Sequence, residues 1–153
     1  MKITKHVTYA EATQTNTKFS NIPSGEQMEK IKLLCEKVFE PLREWVDAPI
    51  KINSIFRSPQ VNNAIGGSKN SQHMAMDGAA MDIDDTFGNK SNNEMALWIM
   101  ENLNYDQLIF EKPINGKSSW IHVSYRKHGN RKQALIFDGK KYLKYSSNKS
   151  LIY

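Results

Sequence analysis

The sequence predicts an α+β fold organised as one domain, and three observations carry that expectation. Helical periodicity crowds the first two thirds of the chain, and antiparallel-looking strand candidates fill the last third. No repeat, low-complexity segment or linker divides the 153 residues, a length that suits one domain with its own core rather than two.

The elements follow in order. Residues 1–23 read as a polar N-terminal arm without an uninterrupted apolar run, hence neither signal peptide nor membrane anchor. Ser24 to Gln27 forms a capping box, after which Met28, Ile31, Leu34, Cys35, Val38, Leu42 and Trp45 recur at helical spacing. Pro41 should kink or split this helix near Glu40, because it removes an internal hydrogen bond. The β-branched stretch PIKINSIF reads as a strand ending at Arg57. Ser58 and Pro59 then supply an N-cap and first helical position, and Gly66-Gly67 the stop.

A polar loop leads from Gly66 into AAMDID, a strand. Ser91 to Glu94 is a second capping box, opening a helix over Met95, Trp98, Ile99 and Leu103. Four short strands follow, DQLIF, SWIHVSY, QALIF and KYLKY, the last two joined by the turn signal Asp138-Gly139.

Charge is distributed unevenly. The net +5 arises from a basic, strand-rich C-terminal end, 126–153, whose eight Lys/Arg face only Asp138; the first 125 residues carry a net −2. Such an end could meet an anionic polymer or serve as a solvated face. The single cysteine, Cys35, excludes an intrachain disulfide and lies on the apolar stripe of a helix, where a buried thiol is expected rather than a nucleophile.

The phosphate-loop, dinucleotide-binding, HExxH, CxxC and GxSxG signatures are all missing. What remains is a polar cluster running from Ser71 to Asp85 where a loop enters a strand. In strand geometry Asp82 and Asp84 share one face, and Met81 and Ile83 the other. Farther on, His122 alternates with Ile121 and Val123 and so points away from the packed side. Two histidines and a carboxylate, completed by one water, make a tetrahedral zinc site with the open position that catalysis needs. The residues alone also allow blander readings: a solvated His73, a hydrogen-bonded His122 beside Trp120, and carboxylates that cap turns.

The runs NSIFRSPQVNNAIGGSKNSQH, GAAMDID, DQLIFE and WIHVSYR resemble the zinc D-alanyl-D-alanine carboxypeptidase family, which includes vancomycin-resistance dipeptidases and many phage endolysins. The resemblance extends from about Ser24 to Gln133. It implies a small α+β domain with a central antiparallel sheet, a fold shared with the hedgehog signalling domain. It further implies zinc held by His73, Asp82 and His122, and a substrate- and oxyanion-binding role for Arg57.

Two departures from the family pattern stand out. Four residues, Met74 to Asp77, separate His73 from Gly78 where the usual SxHxxGxAxD spacing has two, so the loop must bulge, leaving Asp84, and less readily Asp77, as substitute ligands. The acid that often precedes the last histidine is replaced by Ser119 and Trp120, which makes Glu111 the first choice of general base and Asp106 the second. Glu111 could equally be a strand-end carboxylate paired with Lys112 or Arg126. Ser71 and Gln72 read as supporting or substrate contacts, and Trp120 as a cleft wall.

The expected activity is therefore zinc-dependent cleavage of peptidoglycan stem peptides, possessed by a phage or prophage lysis enzyme. It would be made in the cytosol and act on the wall after release, as a monomer without specific nucleic-acid partners or membrane insertion. Two competing readings are a wall-binding or phage structural module that keeps the fold without turnover, and a magnesium nuclease built on Asp77, Asp82, Asp84 and Asp85.

Overall fold

A computed structural model describes residues 1–146 of the chain. The polar N-terminal arm has secondary structure of its own. It forms a small hairpin, β1 (Lys2–Thr4) with β2 (Val7–Thr8), and a short helix, α1 (Tyr9–Ala12), capped by Thr8 and Glu11. Val7 and Ala12 are completely buried, so two small apolar side chains anchor a stretch that contains no apolar run. Side-chain amides complete the attachment: Gln14 Nε2 donates to the Ile52 carbonyl, and Asn21 bridges the Phe56 carbonyl and the Ser58 amide. The segment thereby braces the chain on either side of Arg57.

Helix α2 (Gly25–Leu34) starts at the Ser24–Gln27 capping box. Where Pro41 predicts a kink, the chain makes one wide turn, Cys35–Phe39, in which the Glu40 amide reaches back to the Cys35 carbonyl, before α3 (Glu40–Val46) continues. Pro41 sits in the first turn of α3, where its missing N–H costs least, and the wide turn lets Cys35, Val38 and Phe39 all bury.

The remaining elements are β3 (Lys51–Ser54), α4 (Pro59–Ala64), a single 3₁₀ turn Gln72–Met74, β4 (Ala79–Asp84), α5 (Asn92–Asn102), β5 (Gln107–Glu111), β6 (Trp120–Tyr125), β7 (Gln133–Phe137) and β8 (Tyr142–Lys144). The last seven residues of the basic end, 147–153 with Lys149, lie outside the described residues.

Six strands form one sheet in the order β3-β4-β6-β5-β7-β8. Its pairs are antiparallel except β5–β7, which is parallel. The expected central antiparallel sheet is present, with one parallel pair added at its side: β7 does not pair with the preceding β6 but passes to the far side of β5 and runs alongside it.

Strand alternation divides the sheet into two faces. Met81, Ile83, Leu108, Phe110, Ile121, Val123 and Ile136 are fully buried on the face covered by α2 and α5. Trp45 of α3 stacks on Trp98 of α5, ring centroids 5.1 Å apart, tying the helical layer together. The opposite face, carrying Asp82, His122, Ile109 and Glu111, forms the floor of a cleft.

Candidate metal centre

Three unconnected pieces of local structure supply this cleft. His73 stands on the 3₁₀ turn, whose first amides are capped by Ser71: Oγ accepts from the His73 amide at 3.2 Å. The His73 carbonyl in turn accepts from the Arg57 amide at 2.9 Å, locking the two segments together. Asp82 and His122 are directly opposite one another in the β4–β6 ladder.

The two extra residues between His73 and Gly78 bulge outward. Ala75 takes the left-handed conformation (φ 53°), and the Met74 and Met76 carbonyls are held by Gln27 and Lys30 of α2. Gly78, at φ +76°, turns the chain into β4 so closely against Tyr125 that a Cβ would lie 2.5 Å from its carbonyl oxygen. The bulge therefore leaves Asp82 in register with His122.

His122 Nδ1 lies 3.0 Å from Asp82 Oδ1, and His73 Nε2 lies 3.3 Å from Asp82 Oδ2. The imidazole centroids are 5.1 Å apart and the ligand atoms of all three residues fall within 4.8 Å of one another. A tetrahedral cation with bonds of about 2.0–2.1 Å spaces its ligand atoms by roughly 3.3 Å, so this set has the right dimensions.

The hydrogen bonding makes the fit sharper. His73 Nδ1 donates to the Ile55 carbonyl at 2.7 Å, so Nε2 carries the lone pair, and that buried atom has no hydrogen-bond partner among the described residues. A nitrogen lone pair facing a carboxylate oxygen at 3.3 Å is unfavourable unless a proton or cation lies between them. Burial pushes the His73 pKa down, which disfavours the proton and leaves the donor set suited to a metal. Burial alone would raise the Asp82 carboxyl, but positive charge at the His73 position, whether a proton or a cation, and the hydrogen bond from His122 outweigh it and hold the group well below the usual carboxylate range.

Around this centre the cleft has a volume of about 840 Å³. Arg57 Nη2 donates to Asp82 Oδ2 at 3.2 Å and Nε to Ser54 Oγ at 3.2 Å, fixing a guanidinium whose pKa burial lowers. Glu111 and Trp120, paired across β5–β6, line the same cleft. The Glu111 carboxylate makes no hydrogen bond or ion pair among the described residues, with either Lys112 or Arg126. Burial pushes its pKa up to about 7, against the opposing pull of His122. Lys112 instead places its ammonium 5.5 Å from the Trp120 ring centroid.

The alternative acids are engaged elsewhere. Asp84 accepts from the Asp85 amide and Asn92 Nδ2, and Asp85 accepts from the Asn92 amide, so both organise the start of α5. Asp77 is exposed and paired with Arg126. These three do not join Asp82 in an oxygen-only cluster as a magnesium nuclease requires. Asp106, second choice as general base, is fully buried and saturated by Arg131 and Gln72. Burial raises and Arg131 lowers its pKa, with the balance at about 2, a poor proton acceptor.

Sequence reasoning missed this Asp106–Arg131 network, because its members come from a strand edge and the loop before β7 and no local pattern links them. It also missed the Ile55 carbonyl that fixes the His73 tautomer, since main-chain acceptors leave no trace in residue type.

Residues 5–124 match the family model described as Peptidase M15. The chain belongs to the Peptidase M15 family. The match spans His73, Asp82, His122, Arg57 and Glu111 and ends before the basic C-terminal end. No curated protein matches the chain. M15 peptidases are metallopeptidases, typically zinc-dependent, that act on peptidoglycan peptides, and the His-Asp-His group of this M15 member could bind such a metal. Among the described residues no helix is long and apolar enough to cross a membrane.

Proposed function

We propose that this M15 chain is a zinc peptidase that cleaves peptidoglycan stem peptides as the lysis enzyme of a phage or prophage. The observation carrying this reading is the buried, unpartnered Nε2 of His73 aimed at Asp82 and His122, with the unpaired Glu111 carboxylate in the same cleft. His73, Asp82 and His122 would hold the ion. A zinc ion there supplies Lewis-acid polarisation of a carbonyl and acidification of water.

The chain's own groups divide the remaining work. Glu111, buried enough to bind a proton near neutrality yet free of partners, takes the proton from the attacking water and returns it to the leaving amine. Arg57, held by Asp82 and Ser54, retains N–H donors for the carbonyl oxygen as negative charge develops there. Ser71 and Gln72 hold the His73 turn and the cleft edge, and Trp120 offers an apolar wall to the peptide.

The test is mass spectrometry of fragments released from defined cell-wall peptides by the zinc-loaded protein, with His122→Ala as control. Cleavage at one peptide bond, lost together with zinc in the variant, supports the reading. Stoichiometric zinc without any released amino group would favour the wall-binding module instead.

Synthesis in the cytosol followed by action on the wall after membrane opening is part of the same proposal. The basic end would aid adhesion to an anionic wall. Replacing Lys140, Lys141 and Lys144 by Gln should weaken sedimentation with purified walls and flatten its salt dependence; unchanged binding removes that role.

A further inference from the structure

We propose that Arg131, clamped on Asp106 at one end of the cleft, reads a carboxylate on the substrate. This rests on the peptidase reading above and names a feature of the substrate bound by that same site.

Asp106 is completely inaccessible, and its two oxygens accept four hydrogen bonds: from the Arg131 amide (3.0 Å), Arg131 Nε (3.1 Å), Arg131 Nη2 (2.8 Å) and Gln72 Nε2 (2.9 Å). Main chain and side chain of Arg131 are thus both fixed by one buried group. The loop before it is closed by Asn130, which bonds the Arg126 amide and carbonyl.

A guanidinium has five N–H donors, and Arg131 spends two of them on Asp106. The other three, on Nη1 and Nη2, make no hydrogen bond among the described residues. Its side chain remains 45% exposed and lines the cleft. The second guanidinium here, Arg126, is differently placed: Nη2 is spent on Asp77, and Nε lies 3.4 Å from Asp106 without a hydrogen bond. Arg126 also lines the cleft, but its one hydrogen-bonded carboxylate partner, Asp77, is exposed, whereas Arg131 is fixed on a fully buried carboxylate and so presents its free edge in a set orientation.

A forked cation whose rotamer is already paid for loses little further freedom on binding, and its planar N–H array matches a carboxylate. Gln107 and Gln133 flank it on the cleft face; Gln107 Nε2 donates to Gln133 Oε1, which turns the Gln133 amide nitrogen outward as an additional donor.

Position sets the reading distance. Gln107 and Ser124 lie two residues along β5 and β6 from the Ile109–His122 pair. At about 3.3 Å per residue that is roughly 7 Å, or two residues of an extended peptide. Arg131 is anchored on Asp106, the residue before Gln107, and on that spacing the carboxylate it reads is placed about two residues from the scissile bond. That carboxylate is either the terminal carboxylate of a short peptide or the side chain of an internal acidic residue. Arg126 and Arg131 both fall beyond residue 124, where the family match ends, while Gln72 and Asp106 lie within it.

The experiment compares kcat and KM of the zinc-loaded full chain on two pairs of stem-type peptides. One pair differs only in a free or amidated C-terminus two residues from the cleaved bond, the other only in an internal Glu or Gln at that distance. The expected result is an acid preference of about tenfold in kcat/KM in one pair, carried by KM, which identifies the source of the carboxylate. In Arg131→Gln the preference falls below threefold. A wild-type preference below threefold in both pairs overturns the inference without need of any variant, as does full preference in Arg131→Gln. Absence of hydrolysis of all four peptides overturns the peptidase reading and this inference with it; hydrolysis without acid preference overturns this inference alone.

Discussion

Replacing Asp106 by Asn keeps the shape of the side chain and removes its charge, and the structure fixes what is lost. Oδ1 continues to accept from the Arg131 amide and Nε, but an amide nitrogen at the Oδ2 position faces two donors, Arg131 Nη2 and Gln72 Nε2. Breaking a buried ion pair on one side costs about 3–5 kcal/mol, and because Arg131 is half exposed and can rehydrate, about 3 kcal/mol is the expected loss. For a domain of this size that lowers Tm by roughly 6–12 °C. A second magnitude comes from protonation. The Asp106 pKa is held down at about 2 against an ordinary 3.8, a difference equivalent to about 2 kcal/mol. Because the folded value is depressed, this stability is present above the unfolded pKa and disappears as pH falls through the folded one. The gap between wild type and Asp106→Asn should therefore be full at pH 7 and shrink between about pH 4 and pH 2. Thermal unfolding followed by circular dichroism across that range measures it. A variant as stable as wild type at pH 7, or a gap that persists unchanged at pH 2, refutes the reasoning.

Glu111→Gln should retain zinc while lowering kcat/KM by about 10²–10⁴-fold. In wild type the base must be ionised, so activity rises with pH through the Glu111 pKa; that value is about 7 without an ion, a bound cation lowers it, and the variant should lose this limb. Gly78→Ala places a methyl 2.5 Å from the Tyr125 carbonyl at φ +76° and should cost about 1–3 kcal/mol in urea unfolding. Phe110→Ala empties the centre of the core beneath β5, where the ring also stacks on Tyr145 at 4.7 Å, and should cost about 3–5 kcal/mol in the same assay.

The local elements were legible because their signals are local. The capping boxes at Ser24 and Ser91 and the Ser58-Pro59 start each open a helix at the expected residue. Alternation alone put His122 opposite the buried Ile121 and Val123. Proximity of His73, Asp82 and His122 was legible only through a family resemblance, since the β4–β6 register that opposes Asp82 to His122 is a non-local fact. The illegible parts share that origin. Crossing of β7 to the far side of β5, burial of Val7 and Ala12, and convergence of Arg131 and Gln72 on Asp106 all depend on partners far apart in sequence. Pro41 announced a disturbance but not its form, because the wide turn at Cys35–Phe39 is selected by which side chains it buries.

The central claim is that one zinc ion is held by His73, Asp82 and His122. Equilibrium dialysis with zinc, followed by elemental analysis, tests it most directly. The account predicts one zinc per chain in wild type and in His6→Ala and His128→Ala, and loss of that zinc in His73→Ala, Asp82→Ala and His122→Ala, each checked for folding by circular dichroism. Folded His73→Ala and His122→Ala proteins that still hold one equivalent of zinc, or a wild type that binds none, would contradict it.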